Sequence, residues 1–272
     1  MASPRNLILS ALRAEDWAEL APLLERVSLR RRQVLTEPRT DIPYIYFIEH
    51  GLAALQARTQ ADGAHGVGLL GRFGMTGLPL VLGTKRSPLR IVVQTAGEAY
   101  RLKAGDAEAL FSGDTALRRL ALAYVQVRMV HAAQVALCNA HHPVEERVRR
   151  WLLLAHDLLG EDEICVSHAT IAGHLGMRRP SVSEQVKRLE RAGLVSQSFA
   201  CITVRDRAGL EQGACECHRL IWAEYRRSQV PLSASNGSSE IRNGSQAAIR
   251  PVRNSSCEPV LPRSAAPGRL VG

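Results

Sequence analysis

The sequence predicts an α+β chain: a β-barrel or sandwich first, then a long helix, then a small helical domain. Three observations carry this. Short strand-like runs punctuated by Gly and Pro fill residues 27–102, and a run free of both Pro and Gly spans 114–140. A short helix, a glycine and a cationic helix then follow one another between residues 165 and 204. The length of 272 residues fits two domains of ~150 residues each. A composition of 46% hydrophobic and 22% charged residues excludes collagen-like and wholly disordered chains. The longest uncharged stretch outside the tail, 129–144, is shorter than the ~18 apolar residues of a membrane span. The apolar run 7–12, cut short by Arg13, makes a poor signal peptide. A cytoplasmic protein with no membrane partner is expected.

Taken in order, Trp17, Leu20, Leu23 and Leu24 recur at helical spacing and mark one face of an amphipathic helix. Runs at 27–29, 33–36, 44–48, 52–57, 67–70, 90–96 and 99–102 read as strands. Short strands spaced by turns over ~100 residues make a barrel or sandwich, with Gly51, Gly63, Gly66, Gly83 and Gly97 placed for turns of positive φ. Asp114 or Thr115 can cap the helix 114–140, which at ~1.5 Å per residue is about 40 Å long. Along it Leu117, Leu120, Tyr124, Val127, His131, Gln134 and Cys138 form a 3–4 seam, while Leu122, Val125, Met129, Ala133 and Leu137 occupy other faces. One stripe is expected to pack on the β-domain and the seam to meet a second copy of the chain, giving a homodimer. Pro143 opens a further helix with Val148, Trp151, Leu152, Ala155 and Leu159 on one face. The chain thus divides into a β-rich region over 1–113, a long helix over 114–140, a mostly helical region over 141–227 and a tail over 228–272. The tail, rich in Ser, Pro, Asn, Gly and Arg, is expected to be disordered.

A net charge of +9 favours a polyanionic partner. Residues 177–191 hold five cations against two carboxylates, so much of that charge is concentrated there. Ser167 can cap a helix over 169–175, Gly176 allows a tight turn, and a second helix over 180–192 buries Val182, Val186 and Leu189 before Gly193 ends it. This is a helix-turn-helix, and the runs 194–197 and 202–204 add a two-stranded wing. Arg178, Arg179, Ser181, Ser183, Glu184, Gln185 and Lys187 crowd the polar side of the second helix. A recognition helix needs such cations for phosphate and such side chains for base edges, so double-stranded DNA is the expected partner. The plainer alternative is a solvated helix face with i,i+4 ion pairs such as Glu184–Arg188.

In this order of parts the chain resembles the Crp/Fnr family of bacterial transcription regulators over roughly residues 6–227. The resemblance rests on YIYFIEHG at 44–51, on GMTGLPLVLG at 74–83 followed by Arg86 and Ser87, and most strongly on IAGHLGMRRPSVSEQVKRLERAGL at 171–194. It implies an N-terminal jelly-roll β-barrel related to cyclic-nucleotide-binding domains, a dimerisation helix and a C-terminal winged helix-turn-helix. By the same resemblance the partners are DNA, a second copy, RNA polymerase and a small-molecule effector. Arg179, Ser181, Ser183 and Glu184 fall where the family's helix approaches bases and phosphate, whereas Pro180 and Glu184 depart from the residues usual there. An effector pocket would involve Gly77, Arg86 and Ser87. Cyclic-AMP-binding members hold the ribose with the carboxylate of a Gly-Glu-Leu turn; here the turn reads Gly77-Leu78-Pro79. Losing that ionic hydrogen bond costs ~1.5–3 kcal/mol, or ~10–100-fold in affinity. No physiological cyclic AMP binding is expected.

The six cysteines, Cys138, Cys165, Cys201, Cys215, Cys217 and Cys257, are scattered and read as reduced thiols. None lies near the N-terminus, which speaks against an oxygen-sensing iron–sulfur cluster. Cys215-Glu216-Cys217-His218 has the look of a metal box, but Cys-x-Cys puts its side chains about 200° apart on a helix, so no metal and no cofactor are expected. His131 and His50 read as packing residues rather than haem ligands. No nucleophile elbow, phosphate loop or His-Glu-x-x-His occurs, so no catalytic residue is assigned and an enzyme is not expected. A ligand- or protein-binding module with a non-functional helix-turn-helix is the remaining alternative.

Overall fold

The computed structural model describes residues 4–59, 63–199 and 201–228. The tail from 229 onward, and with it Cys257, lies outside the described residues. The chain opens with a short helix α1 (Leu7–Ser10), capped by Asn6, whose side chain accepts from the Ile8 and Leu9 amides. The Asn6 amide nitrogen also donates to the Ile48 and Gly74 carbonyls, and Glu49 accepts from the Arg5 and Asn6 backbone. This buried polar knot pins the N-terminus to the β-domain. Helix α2 (Ala14–Leu20) is shorter than the sequence periodicity implies. Pro22 turns the chain into a 3-10 segment (Ala21–Leu23), so Leu24 is extended and Leu23 is exposed.

The β-domain is a five-stranded antiparallel sheet of β1 (Glu25–Leu29), β2 (Val34–Thr36), β3 (Tyr44–Thr59), β4 (Gly63–Leu70) and β5 (Arg90–Lys103). The order is β1-β5-β3-β4, with β2 also on β5. Two pairs of expected strands prove to be single ones, because Gly51 and Gly97 produce a bulge instead of a turn. Gly51 does take a positive φ, +95°, and the register of β3 on β5 shifts between Ile48 and Ala53. A side chain on Gly97 would overlap the His50 carbonyl. Of the other glycines assigned to turns, Gly83 has φ +79°, whereas Gly63 and Gly66 lie within β4. Helices α3 (Leu78–Val81) and α4 (Ala104–Ser112) were not foreseen among the strand-like runs.

Helix α5 (Ala116–His141) is capped by Thr115, as expected. Its seam, however, faces inward: Leu117, Leu120, Tyr124, Val127, His131 and Cys138 are buried within their own chain. The reason is a terminal helix, α10 (Cys217–Arg227), which folds back along α5 and occupies the face assigned to a second copy. The Tyr225 ring lies 6.4 Å from Tyr124 and 5.9 Å from His131. The opposite face carries Leu122, Met129 and Leu137 at 41%, 63% and 48% exposure. By length and composition alone α5 could cross a membrane; its inner face is nonetheless covered by the chain itself.

The C-terminal domain comprises α6 (Val144–Leu159), β6 (Glu163–Ile164), α7 (His168–Leu175), α8 (Arg179–Arg191), β7 (Val195–Ser198), β8 (Cys201–Val204), α9 (Arg207–Gln212) and α10. The five apolar residues expected along α6 are all buried, and Gly160 ends the helix at φ +72°. The sheet has a third strand, β6, beside the expected wing pair. Pairing of Glu163 with Thr203 and Ile164 with Ile202 puts Cys165 opposite Cys201. The two are disulfide-bonded, which corrects the expectation of free thiols at these positions; Cys138, Cys215 and Cys217 are free.

Candidate nucleic-acid interface

The Ser167 hydroxyl accepts from the Thr170 amide and starts α7. The left-handed Gly176 (φ +60°) releases the chain from α7, and Gly193 (φ +73°) ends α8. Between them Val182, Val186 and Leu189 are buried, each removing a side chain from water at ~1.5–3 kcal/mol. That stripe fixes which side of α8 faces solvent. Arg178, Arg179, Glu184 and Lys187 are exposed on it, while Ser181, Ser183 and Gln185 are half-buried. The seven residues expected to form the site thus lie on α8 or at its N-cap, spread around the buried stripe and with unequal access. The Ser183 hydroxyl is engaged by His168 Nδ1 at 2.9 Å. Glu184 pairs with Arg188, as the plainer reading of this helix anticipated.

Among the described residues Arg178, Arg179 and Lys187 have no carboxylate partner, and the first turn of α8 contains no acid. Their charge adds to the positive end of the helix dipole, giving an anion-seeking surface. A neighbouring group registers the field. Burial, reinforced by the nearby Arg179 and Lys187 charges, pushes the His168 pKa below its ordinary value. The wing is tied to the same helix, since Glu190 accepts from the backbone and side-chain amides of Gln197 at 2.9 and 2.8 Å. The sequence reading missed both His168 and Glu190. A Glu seven residues before a Gln across a helix-to-strand turn was the available signal for the second. Helix, glycine turn, cationic helix and hairpin in this geometry define a winged helix-turn-helix.

The expected effector residues are split. Gly77 and Ser87 line an apolar cavity of about 180 Å³ together with Ile42, Leu70, Met75 and Arg128. Arg86 lies outside it, paired on the surface with Asp41 at 2.6 Å. The cavity is smaller than the ~300–1,000 Å³ of ordinary small-molecule sites. Arg128, not anticipated here, is buried and bonded to the Leu69 carbonyl, His131 and the Tyr225 hydroxyl at 3.0–3.2 Å. His131 is thus a hydrogen-bonded packing residue.

Residues 146–212 match the family described as the Crp-like helix-turn-helix domain. FixK2 from Bradyrhizobium japonicum has a similar structure, with 18% identity over 71% of this chain and 98% of its own and a TM-score of 0.58. A CRP-family transcriptional regulator from Thermus thermophilus is similar at 18% identity, over 69% and 96% of the two chains, with a TM-score of 0.59. The c-di-GMP-responsive global regulator CLP from Xanthomonas campestris is similar at 17% identity, over 71% and 99%, with a TM-score of 0.55. No curated protein matches in sequence. The structural likenesses establish the fold, and the domain match assigns its C-terminal part. Together they support a DNA-binding transcription regulator.

Proposed function

We propose that the protein acts in the cytoplasm as a homodimer on a two-fold symmetric operator, with a β-roll that senses a signal other than cyclic AMP. The observation that carries the DNA reading is the exposed trio Arg178, Arg179 and Lys187, without a carboxylate partner among the described residues, along a helix that buries Val182, Val186 and Leu189. Arg can engage guanine and Gln adenine in two-pronged fashion, and the cations suit phosphate. The outer face of α5 favours the dimer: Leu122, Met129 and Leu137 form an exposed apolar stripe along a helix otherwise packed on its own chain. Two copies joined there present two α8 helices, and one DNA turn of ~34 Å between half-sites follows for this class. RNA polymerase is the partner through which such a regulator would act. The small apolar cavity speaks for an effector other than a nucleotide, c-di-GMP included, in this conformation.

Selection of genomic fragments by the purified chain, followed by mobility shift on the recovered sites, tests the reading. Enrichment of inverted repeats is expected, and replacing Arg179 and Lys187 with Ala should abolish the shift at moderate salt. Recovery of no fragment at low salt would instead favour a binding module whose helix-turn-helix no longer functions.

A further inference from the structure

The end of α5 carries Cys138 and, at its C-cap, His142; Cys215 and Cys217 flank the start of α10. Cys215 precedes that helix instead of lying on it, so the chain turns through Glu216 and both thiols point the same way. The helical geometry that would forbid a shared ligand does not apply. Cys138 Sγ lies 3.5 Å from Cys215 Sγ, and Cys217 Sγ lies 3.3 Å from His142 Nδ1. All four ligand atoms fall within 4.8 Å of one another. A tetrahedral ion bonded at ~2.3 Å to sulfur and ~2.0–2.1 Å to nitrogen sets edges of about 3.5–3.8 Å. The cage therefore has the dimensions of a single ion. An iron–sulfur cluster spreads its ligands over several irons and needs a wider one.

The surroundings are those of a metal site. The three thiols are buried, so the site is closed to solvent ligands. Three thiolates and one divalent zinc leave a net charge of −1. Arg150, 2% exposed, donates from Nε to Cys138 Sγ at 3.1 Å, and it has no carboxylate partner among the described residues. A buried guanidinium without a carboxylate partner is a costly arrangement, whereas beside a metal-thiolate centre its charge is matched. Gln134 Nε2 donates to Cys217 Sγ at 3.2 Å. The Glu216 carboxylate stands 3.8 Å from His142 Nε2, the position from which outer carboxylates orient a ligating imidazole by its other nitrogen. His218 is not a member of the cage; it bonds Asp157 at 2.7 Å.

We propose that Cys138, His142, Cys215 and Cys217 bind one zinc ion, which fastens the end of α5 to the start of α10. The winged domain lies between those two attachment points, so the ion closes a loop of chain around it. Binding releases the thiol protons to solvent and involves no redox change. The inference does not depend on the DNA reading.

Full-length protein purified without chelators should contain one zinc per chain by mass spectrometry of the metal. Cys138→Ser and Cys217→Ser should each reduce it at least ~5-fold, and Cys257→Ser should leave it unchanged. Exchange with cobalt should give the visible bands of a tetrahedral thiolate site, lost in Cys138→Ser. Should the serine variants fail to fold, titrating the wild-type thiols with a mercurial should release one zinc, read with a metallochromic dye. A folded chain that takes up no stoichiometric zinc when it is supplied overturns the proposal. So does an iron–sulfur chromophore, or a cobalt spectrum indifferent to Cys138.

Discussion

Acidification should loosen the junction between β4 and α7, by an amount set at His174. Its imidazole is buried, with Trp151 at 5.9 Å between ring centroids, and the backbone of Gly66 lies directly against it. Burial first, and the charge of Arg150 second, push its pKa down to about 4. In the unfolded chain the same group titrates near 6.5. Between those values the unfolded state binds a proton that the folded state refuses. The contribution is therefore fully present above pH ~6.5, and unfolding free energy drops by ~1.4 kcal/mol per pH unit as pH falls, about 3 kcal/mol in all by pH ~4. His131, buried and held well below its ordinary value by burial and by Arg128 and Arg150, acts in the same direction. Urea denaturation of wild type and His174→Gln at intervals from about pH 7.5 to 4.5 isolates the term. The wild type should lose stability more steeply, by ~1.4 kcal/mol per unit. Parallel pH curves for the two proteins would refute the assignment of a neutral, buried His174.

Four other outcomes are expected. Lys187→Ala removes one phosphate contact per protomer, or two per two-fold complex, and should flatten the slope of log K against log salt by about 1.8; its affinity deficit should shrink ~12-fold between about 50 and 200 mM salt in a binding titration. Met129→Glu places like charges face to face on the outer stripe of α5 and should give a monomer by native mass spectrometry, with the circular dichroism spectrum retained. Ser167→Ala deletes the cap of α7 and should cost about 1 kcal/mol in thermal or urea unfolding, while Arg86→Ala, on the surface with Asp41, should change stability by less than ~0.5 kcal/mol.

The helix-turn-helix was legible because every cue there is local: a capping serine, two left-handed glycines and a 3–4 apolar stripe within one short stretch. The β-domain was legible in class and less so in detail. Gly51 and Gly97 signal an unusual backbone, but whether a glycine reverses a strand or bulges it depends on the strand opposite, which the local sequence does not contain. The inverted face of α5 is a similar case. Its seam has the spacing of a dimer contact, and α10, about ninety residues later, supplies an equally good apolar partner. The clustering of Cys138, His142, Cys215 and Cys217 was not legible for two reasons. Cys138 and His142 are far in sequence from Cys215 and Cys217, and the two residues by which Cys215 precedes the start of α10 are within the uncertainty of any helix boundary. Pairing of Cys165 with Cys201 follows from strand register, again a non-local property.

Gly66 and Gly68 in the edge strand β4, and Gly71 in the turn after it, carry no side chains where His174, Arg128 and Leu158 rest directly on the backbone. The strand and its turn thus touch α5, α6 and α7 with no side chain of their own in between. A methyl group added at any of the three would act as a wedge, and the series alanine, serine, valine would grade its thickness. Bulk added at Gly68 would thus press on Arg128, which also lines the apolar cavity, while bulk at Gly66 would press on α7 through His174.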